Sequence, residues 1–242
     1  MSDRALAERL ARTAGAIALE LRGGAATVKA GATDLVTEAD VRAERTLLDL
    51  LAAERPHDGV LGEEGAAAEG TSGRRWLLDP VDGTLNYAAG MSPWCSAVAL
   101  CDAQGPLACA VYDGAHDELF GAARGEGATR DGQRLALTAP APALADAVVN
   151  VFVDARRRDP EIVAATEALL RRAGAVRAIG SGSVELAWLA AGRLHGWVQA
   201  DTDPWDWAPG ALLVAEADGA TAVRGRWHLA AADTTLLEAI AP

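Results

Sequence analysis

The run Asp79-Pro80-Val81-Asp82-Gly83-Thr84 carries the most concentrated chemistry in the chain. Its two carboxylates are separated by a proline that fixes one backbone torsion and followed by a glycine that frees another. The apolar Trp76-Leu77-Leu78 before it reads as a short buried strand. Carboxylates at a strand end, held by a rigid turn, can converge on one point, as a hard divalent cation such as Mg2+ requires. A helix opening at Gly83 and Thr84 would turn their amides toward an anion. Metal ligands beside a phosphate cradle indicate phosphoryl chemistry.

Three other acidic segments accompany it: Asp34-Leu35-Val36-Thr37-Glu38-Ala39-Asp40, Gly62-Glu63-Glu64-Gly65 and Trp205-Asp206. Taken singly, each has an ordinary structural reading. Asp40 suits the first turn of a helix, where the dipole favours a carboxylate. Glu63 and Glu64 suit a solvated loop, and Asp206 suits a helix N-cap. Together, and in this order, they resemble the inositol monophosphatase family. Its landmarks are Gly62-Glu63-Glu64 after Val60-Leu61, the central run, and a late Trp-Asp. Lys29 ahead of residues 34–40, and Asn86-Tyr87 and Gly90 after the central run, continue the likeness. So do Gly180-Ser181-Gly182-Ser183, Ala190-Ala191-Gly192-Arg193 and Ala215-Glu216-Ala217-Asp218-Gly219, so that it covers nearly the whole chain.

The resemblance implies a layered αβαβα fold of the α/β (α+β) class, like that of inositol monophosphatase and fructose-1,6-bisphosphatase. It also implies Mg2+-dependent hydrolysis of a small phosphomonoester by a metal-activated water. By that resemblance, Glu63, Asp79 and the Val81 carbonyl hold one Mg2+, and Asp79, Asp82 and Asp206 hold a second, with Asp79 bridging. A third, weaker ion would bind through Glu63, and Mn2+ would substitute. Bridged divalent ions about 3.5–4 Å apart polarise both the attacking and the leaving oxygen of an in-line displacement. Glu63 and Thr84, the latter paired with Asp40, would orient the water. Gly83 and Thr84 would receive the phosphate, and Gly180, Ser181, Gly182 and Gln199 would line the rest of the substrate. Homodimers are common among relatives and are expected here.

One departure bears on selectivity. Family members acting on inositol phosphate carry a glutamate seven residues before the last metal-binding aspartate, where this chain has Gln199. An amide still bonds a hydroxyl but lacks the charge that favours a strong donor. Asp201 and Asp203 either stand in for that carboxylate or are surface residues. The catalytic half is therefore intact and the substrate half altered. Inositol, sugar, polyol and amino-alcohol phosphates are the leading substrates; histidinol phosphate, fructose 1,6-bisphosphate and 3′-phosphonucleotides are the pathway-specific alternatives. A non-catalytic regulatory or binding role on this scaffold is the alternative of a different class. The full set Glu63, Asp79, Asp82, Thr84 and Asp206 argues against it.

Helices and strands must bring these segments together. Residues 3–22 place Leu6, Leu10, Ala14, Ile17 and Leu21 on one helical face, stopped by Gly23-Gly24. A second helix is predicted from Thr37, with Thr37-Glu38-Ala39-Asp40 as its capping sequence, to about Glu54; its stripe is Val41, Leu47, Leu48 and Leu51. Strands at 76–78, 96–101, 107–112 and 118–122 are predicted to form an antiparallel meander. The proline-bearing stretch 138–142 divides one phosphatase domain into a metal-binding half, 1–140, and a half shaping selectivity, 141–242. Thereafter strand 147–152, helix 160–173, strand 176–179, helix 183–191, strand 195–199, helix 206–217 and a short strand alternate, as in α/β folds.

Composition limits the partners. A net charge of −12 disfavours nucleic acid and anionic membrane, so a small phosphorylated metabolite is expected, with bound metal supplying the positive field. Three cysteines, an odd number without CxxC spacing, read as buried reduced thiols. Residues 1–4 lack the order of a signal peptide and no apolar run reaches membrane-spanning length, so a cytoplasmic location is expected. The four histidines fit no ligand spacing, while Trp205 and Trp207 flank Asp206 as candidates for the pocket wall.

Overall fold

The central strands are apolar along most of their length because their sheet is covered on both faces. The computed structural model describes residues 1–23, 26–28, 35–153 and 159–242. It begins with α1 (Asp3–Leu21), a two-stranded antiparallel ribbon of β1 (Ala26–Val28) and β2 (Leu35–Thr37), and α2 (Glu38–Glu54). The large sheet comes next: β3 (Gly59–Gly62), β4 (Ala67–Ala68), β5 (Arg75–Asp82), then α3 (Thr84–Ala88), β6 (Cys95–Asp102), β7 (Gly105–Asp113), β8 (Glu118–Ala123), β9 (Gly127–Arg130) and β10 (Gln133–Leu135). Its eight strands run in the order β10-β9-β8-β7-β6-β5-β3-β4. The predicted meander is β5 to β8, which β9 and β10 extend, and β3 adds a parallel neighbour to β5.

Successive side chains of a strand point to opposite faces. Trp76, Leu78, Val98, Leu100, Ala108 and Ala110 pack under α1 and α2 with Leu6, Leu10 and Leu47. Their neighbours Leu77, Ala97, Ala99, Cys109 and Val111 face the other way. There they meet α5 (Gly182–Ala190) and α6 (Pro204–Glu216), which also cover Trp197 and Ala230 of the second sheet. That sheet comprises β11 (Val148–Val151), β12 (Ala175–Arg177), β13 (Gly196–Ala200), β14 (Ala220–Arg224) and β15 (Trp227–Ala231), in the order β12-β11-β13-β15-β14. Its far face packs on α4 (Pro160–Arg172) and α7 (Thr234–Ile240) through Val149, Ile162, Leu169, Leu229 and Leu236. The layers therefore read αβαβα. Val41 departs from the expected stripe of α2: it is 56% exposed, on the outer side of the helix. The last short strand is a hairpin, β14–β15, succeeded by α7.

The middle helical layer is tight. A Cβ on Gly210 of α6 would lie 2.4 Å from Leu186 Cβ of α5. Gly210→Ala is expected to lower the unfolding free energy by about 1–3 kcal/mol, the usual penalty for overpacking. An unchanged urea midpoint would show that the two helices separate freely. No helix among the described residues is long and apolar enough to cross a membrane.

Candidate metal and phosphate site

The central run is a strand end rather than the turn expected from Pro80 and Gly83. A regular strand would send residues 79 and 82 to opposite faces. β5 is irregular here: Asp79 pairs with Ala97 and Asp82 with Cys95, so three steps on β5 match two on β6. Such a bulge adds one residue and re-aims the side chains beyond it. Ala97 and Cys95 both face α5 and α6, and the bulge brings Asp82 round to the side of Asp79. Pro80 and Val81 fall outside the ladder, where a missing N–H is tolerated. Their carbonyls accept instead from Ser96 Oγ (2.6 Å) and Thr84 Oγ1 (3.0 Å). Gly83 then takes a left-handed conformation (φ +88°) and α3 begins.

Asp206 arrives from α6. Asp203 occupies the N-cap and Pro204 the first helical position, so Asp206 lies in the first turn rather than at the cap. One carboxylate oxygen each of Asp79, Asp82 and Asp206 lies within 4.8 Å of the others. Burial, then Glu63, Asp82 and Asp206, push the Asp79 carboxyl well above the usual carboxylate range. Burial, then Asp82 and Glu63, do the same to Asp206. Asp82 is raised by burial, although Ser183 N (2.6 Å) donates to its Oδ2. Asp79 Oδ1 is buried without a hydrogen-bond partner among the described residues. Like charges crowded in this way, with an oxygen left over, fit a hard divalent cation.

Glu63 belongs to this group electrostatically, acting on both Asp79 and Asp206. Its backbone N–H continues β3 beside β5 by donating to Leu78 O (3.1 Å). Glu44 of α2 holds the same loop, accepting from Glu64 N (3.0 Å) and Ala66 N (3.1 Å). Asp40 stands differently from its expected pairing with Thr84. As the third helical residue of α2 it turns back on its own cap: Oδ2 accepts from Thr37 N (2.8 Å) and Thr37 Oγ1 (2.5 Å). Thr84 Oγ1 donates to Val81 O instead. Burial lifts the Asp40 carboxyl to about 6. Lys29 and Asp34 lie outside the described residues.

The loop at residues 180–182 closes over the central run. Ser181 Oγ donates to the Asp82 carbonyl (3.2 Å), and Ser183 Oγ to that of Asp206 (3.2 Å). Asn86 Nδ2 spans from α3 to Pro93 O and Ile179 O, both at 2.9 Å. Gly83 fits because a Cβ there would sit 3.1 Å from Gly180 O and 2.9 Å from Ser181 Cβ. Gln199 is buried on β13, its Oε1 unpartnered among the described residues and 3.7 Å from where a Cβ on Gly182 would be. Asp201 is exposed and paired with Arg226, which also binds Asp159 (2.7 Å), so it does not replace a carboxylate at Gln199. Trp207 packs on Trp197 (5.7 Å) and His228 (5.1 Å).

Two buried polar residues behind this arrangement are absent from the expected site residues. Glu185 is a lone carboxylate inside the apolar helix α5, and Asn150 is an amide within the apolar β11. A polar residue stranded in an apolar element is the signal that marks them.

Comparison with known proteins shows the family of the chain. The family model for the inositol monophosphatase family matches residues 2–238. An inositol-1-monophosphatase of Rhizobium meliloti is 39% identical over 193 residues, 78% of this chain and 72% of that protein. Nus factor SuhB of Escherichia coli K12 is 31% identical over 191 residues, 78% and 72% of the two chains. Among solved structures, an extragenic suppressor protein SuhB from Bartonella henselae superimposes with a TM-score of 0.90 at 27% identity, covering 98% of this chain and 95% of that one. An IMPase from Thermotoga maritima does so at 0.85 and 25% identity, covering 96% and 93%.

Proposed function

The chain belongs to the inositol monophosphatase family of metal-dependent phosphoric monoester hydrolases, and from that premise we propose that it uses Mg2+ to hydrolyse a small inositol, sugar, polyol or amino-alcohol phosphate. The observation that carries this reading is the convergence of Asp79, Asp82 and Asp206, the first two buried, with Asp79 Oδ1 unpartnered among the described residues. Asp79, Asp82 and Asp206 would hold one Mg2+ and Glu63, Asp79 and the Val81 carbonyl another, with a third through Glu63. Mn2+ is an acceptable substitute. When bound, such ions neutralise phosphoryl oxygens and lower the pKa of water.

The chain's own groups do the rest. Thr84 Oγ1 commits its proton to Val81 O, so toward a water it is an acceptor that orients. Glu63 is the carboxylate placed to take the proton, and Asp40 supports the α2 end of the site. The amides of Gly83 and Thr84 receive the phosphate. Gly180, Ser181 and Gly182 shape the space for the alcohol, and Gln199 bonds its hydroxyls. In this reading residues 1–140 supply metal and phosphate ligands and residues 141–242 supply selectivity, within one cytoplasmic homodimeric phosphatase.

Phosphate release from a panel of phosphomonoesters, with Mg2+ and with EDTA, tests the activity; no release from any member would reject it. Gln199→Glu is expected to raise kcat/KM for inositol 1-phosphate about tenfold relative to the rest of the panel, the gain from a charged over a neutral hydrogen bond. An unchanged ranking would place selectivity elsewhere. Histidinol phosphate, fructose 1,6-bisphosphate and 3′-phosphonucleotides belong on that panel. The relatives named Nus factor SuhB support a second reading, a regulatory role through a macromolecular partner, which a net charge of −12 turns away from direct nucleic-acid contact.

A further inference from the structure

Glu185 is fully buried in α5, and four neutral donors converge on it. Oε1 accepts from Gly180 N (2.8 Å) and Ser181 N (3.3 Å). Oε2 accepts from Asn150 Nδ2 (2.5 Å) and Trp197 Nε1 (2.8 Å). Asn150 and Trp197 are register partners on the parallel strands β11 and β13, so neighbouring strands present both donors to one oxygen. The two oxygens thus face different parts of the molecule, one the loop and the other the sheet.

The consequences run into the site. Ser181 is the N-cap of α5 and its carbonyl accepts from Glu185 N (3.0 Å), so Glu185 grips Ser181 through backbone and side chain together. From this fixed turn Ser181 Oγ reaches the Asp82 carbonyl, and Ser183 N reaches the Asp82 carboxylate. Trp197, held from the same carboxylate, stacks on Trp207 beside Asp206. With the Gly180 and Ser181 amides committed to Glu185, the loop offers a substrate its shape, and that shape is set from behind.

We propose that Glu185 is a positioning residue, joining Gly180 and Ser181 to Asn150 and Trp197 so that the five-stranded sheet fixes the substrate loop over the carboxylate cluster. This rests on the phosphomonoesterase reading for its kinetic consequence, though its structural consequence can be measured without it.

Glu185→Gln preserves volume and one accepting oxygen but sets an NH2 group against two donors. Asn150 can turn its amide and offer Oδ1, which has no partner among the described residues; Trp197 has no such option. KM for the best panel substrate is expected to rise about fivefold, the scale of one lost buried hydrogen bond, with kcat changed less than about twofold. Glu185→Ala is expected to raise KM further. Amide exchange at Gly180 and Ser181 should accelerate about tenfold in Glu185→Gln, on the same scale. A purely structural role would lower the active fraction, reducing kcat at constant KM. That result, or wild-type KM and exchange in Glu185→Gln, overturns the proposal. If Glu185→Ala does not fold, Glu185→Gln decides alone. If the wild type releases phosphate from nothing, the activity fails, while the exchange measurement still decides the role of Glu185.

Discussion

Asp79→Asn is expected to lower Mg2+-dependent phosphate release by about a thousandfold and to make the metal-free protein more stable. The expected catalytic loss follows from its place in the cluster with Asp82 and Asp206, where Glu63 also acts on it electrostatically. Lewis-acid stabilisation of a phosphoryl transition state is worth several kcal/mol, and each 1.4 kcal/mol or so is a tenfold change in rate. The gain in stability has the same origin. Without metal, Asp79 is a buried carboxylate among three others, and burial and repulsion both disfavour its charge. An amide of similar shape removes that repulsion and can donate to a neighbour. Turnover assays and thermal melts in EDTA read the two effects separately. Near-wild-type turnover would remove Asp79 from the proposed metal ligands, and a lower melting temperature in EDTA would mean that its charge is already compensated.

Metal-free protein is expected to lose stability as pH rises from about 4 to 8, opposite to the usual salt-bridged protein, and Mg2+ should restore it. Asp40 is raised from 3.8 to about 6, and Asp79, Asp82 and Asp206 are raised as well, each chiefly by burial. A carboxyl whose folded pKa exceeds its unfolded value binds its proton more tightly when folded. Its contribution is therefore complete below the unfolded pKa and disappears as pH rises through the folded one. At about 1.4 kcal/mol per unit, Asp40 alone amounts to about 3 kcal/mol. Metal binding favours ionised carboxylates, so the stabilisation by Mg2+ should be larger at pH 8 than at pH 5. Denaturant titrations at the two values, with Mg2+ and with EDTA, test this. Stability that rises with pH in EDTA would contradict it.

The acidic members of the candidate site were legible because their types and order resemble the inositol monophosphatase family, although each segment alone has an ordinary structural reading. The layers were legible because strands covered on both faces must be largely apolar, as in residues 97–100. What escaped was whatever depends on a partner distant in sequence. The bulge at Asp79 exists only in the register with β6. The hold of Glu44 on the residue 64–66 loop, and of Glu185 on residues 180 and 181, joins elements that no local pattern connects. The start of α6 is written in Asp203-Pro204, a cap followed by a first-turn proline, just ahead of the Trp-Asp landmark. Helix α7 is only seven residues long, too short for its apolar spacing to stand out.

The bulge in β5 has a genetic consequence. Two carboxylates on one face of a strand need only an even spacing, and a chain one residue shorter would satisfy that parity without any irregularity. The odd spacing here releases two carbonyls, Pro80 and Val81, from the ladder and leaves them to side-chain hydroxyls. A backbone oxygen becomes available beside the carboxylates, and its presence is written in chain length rather than in side-chain identity. Alanine scanning passes over such an oxygen; a one-residue deletion at 80 or 81 is the change that reads it.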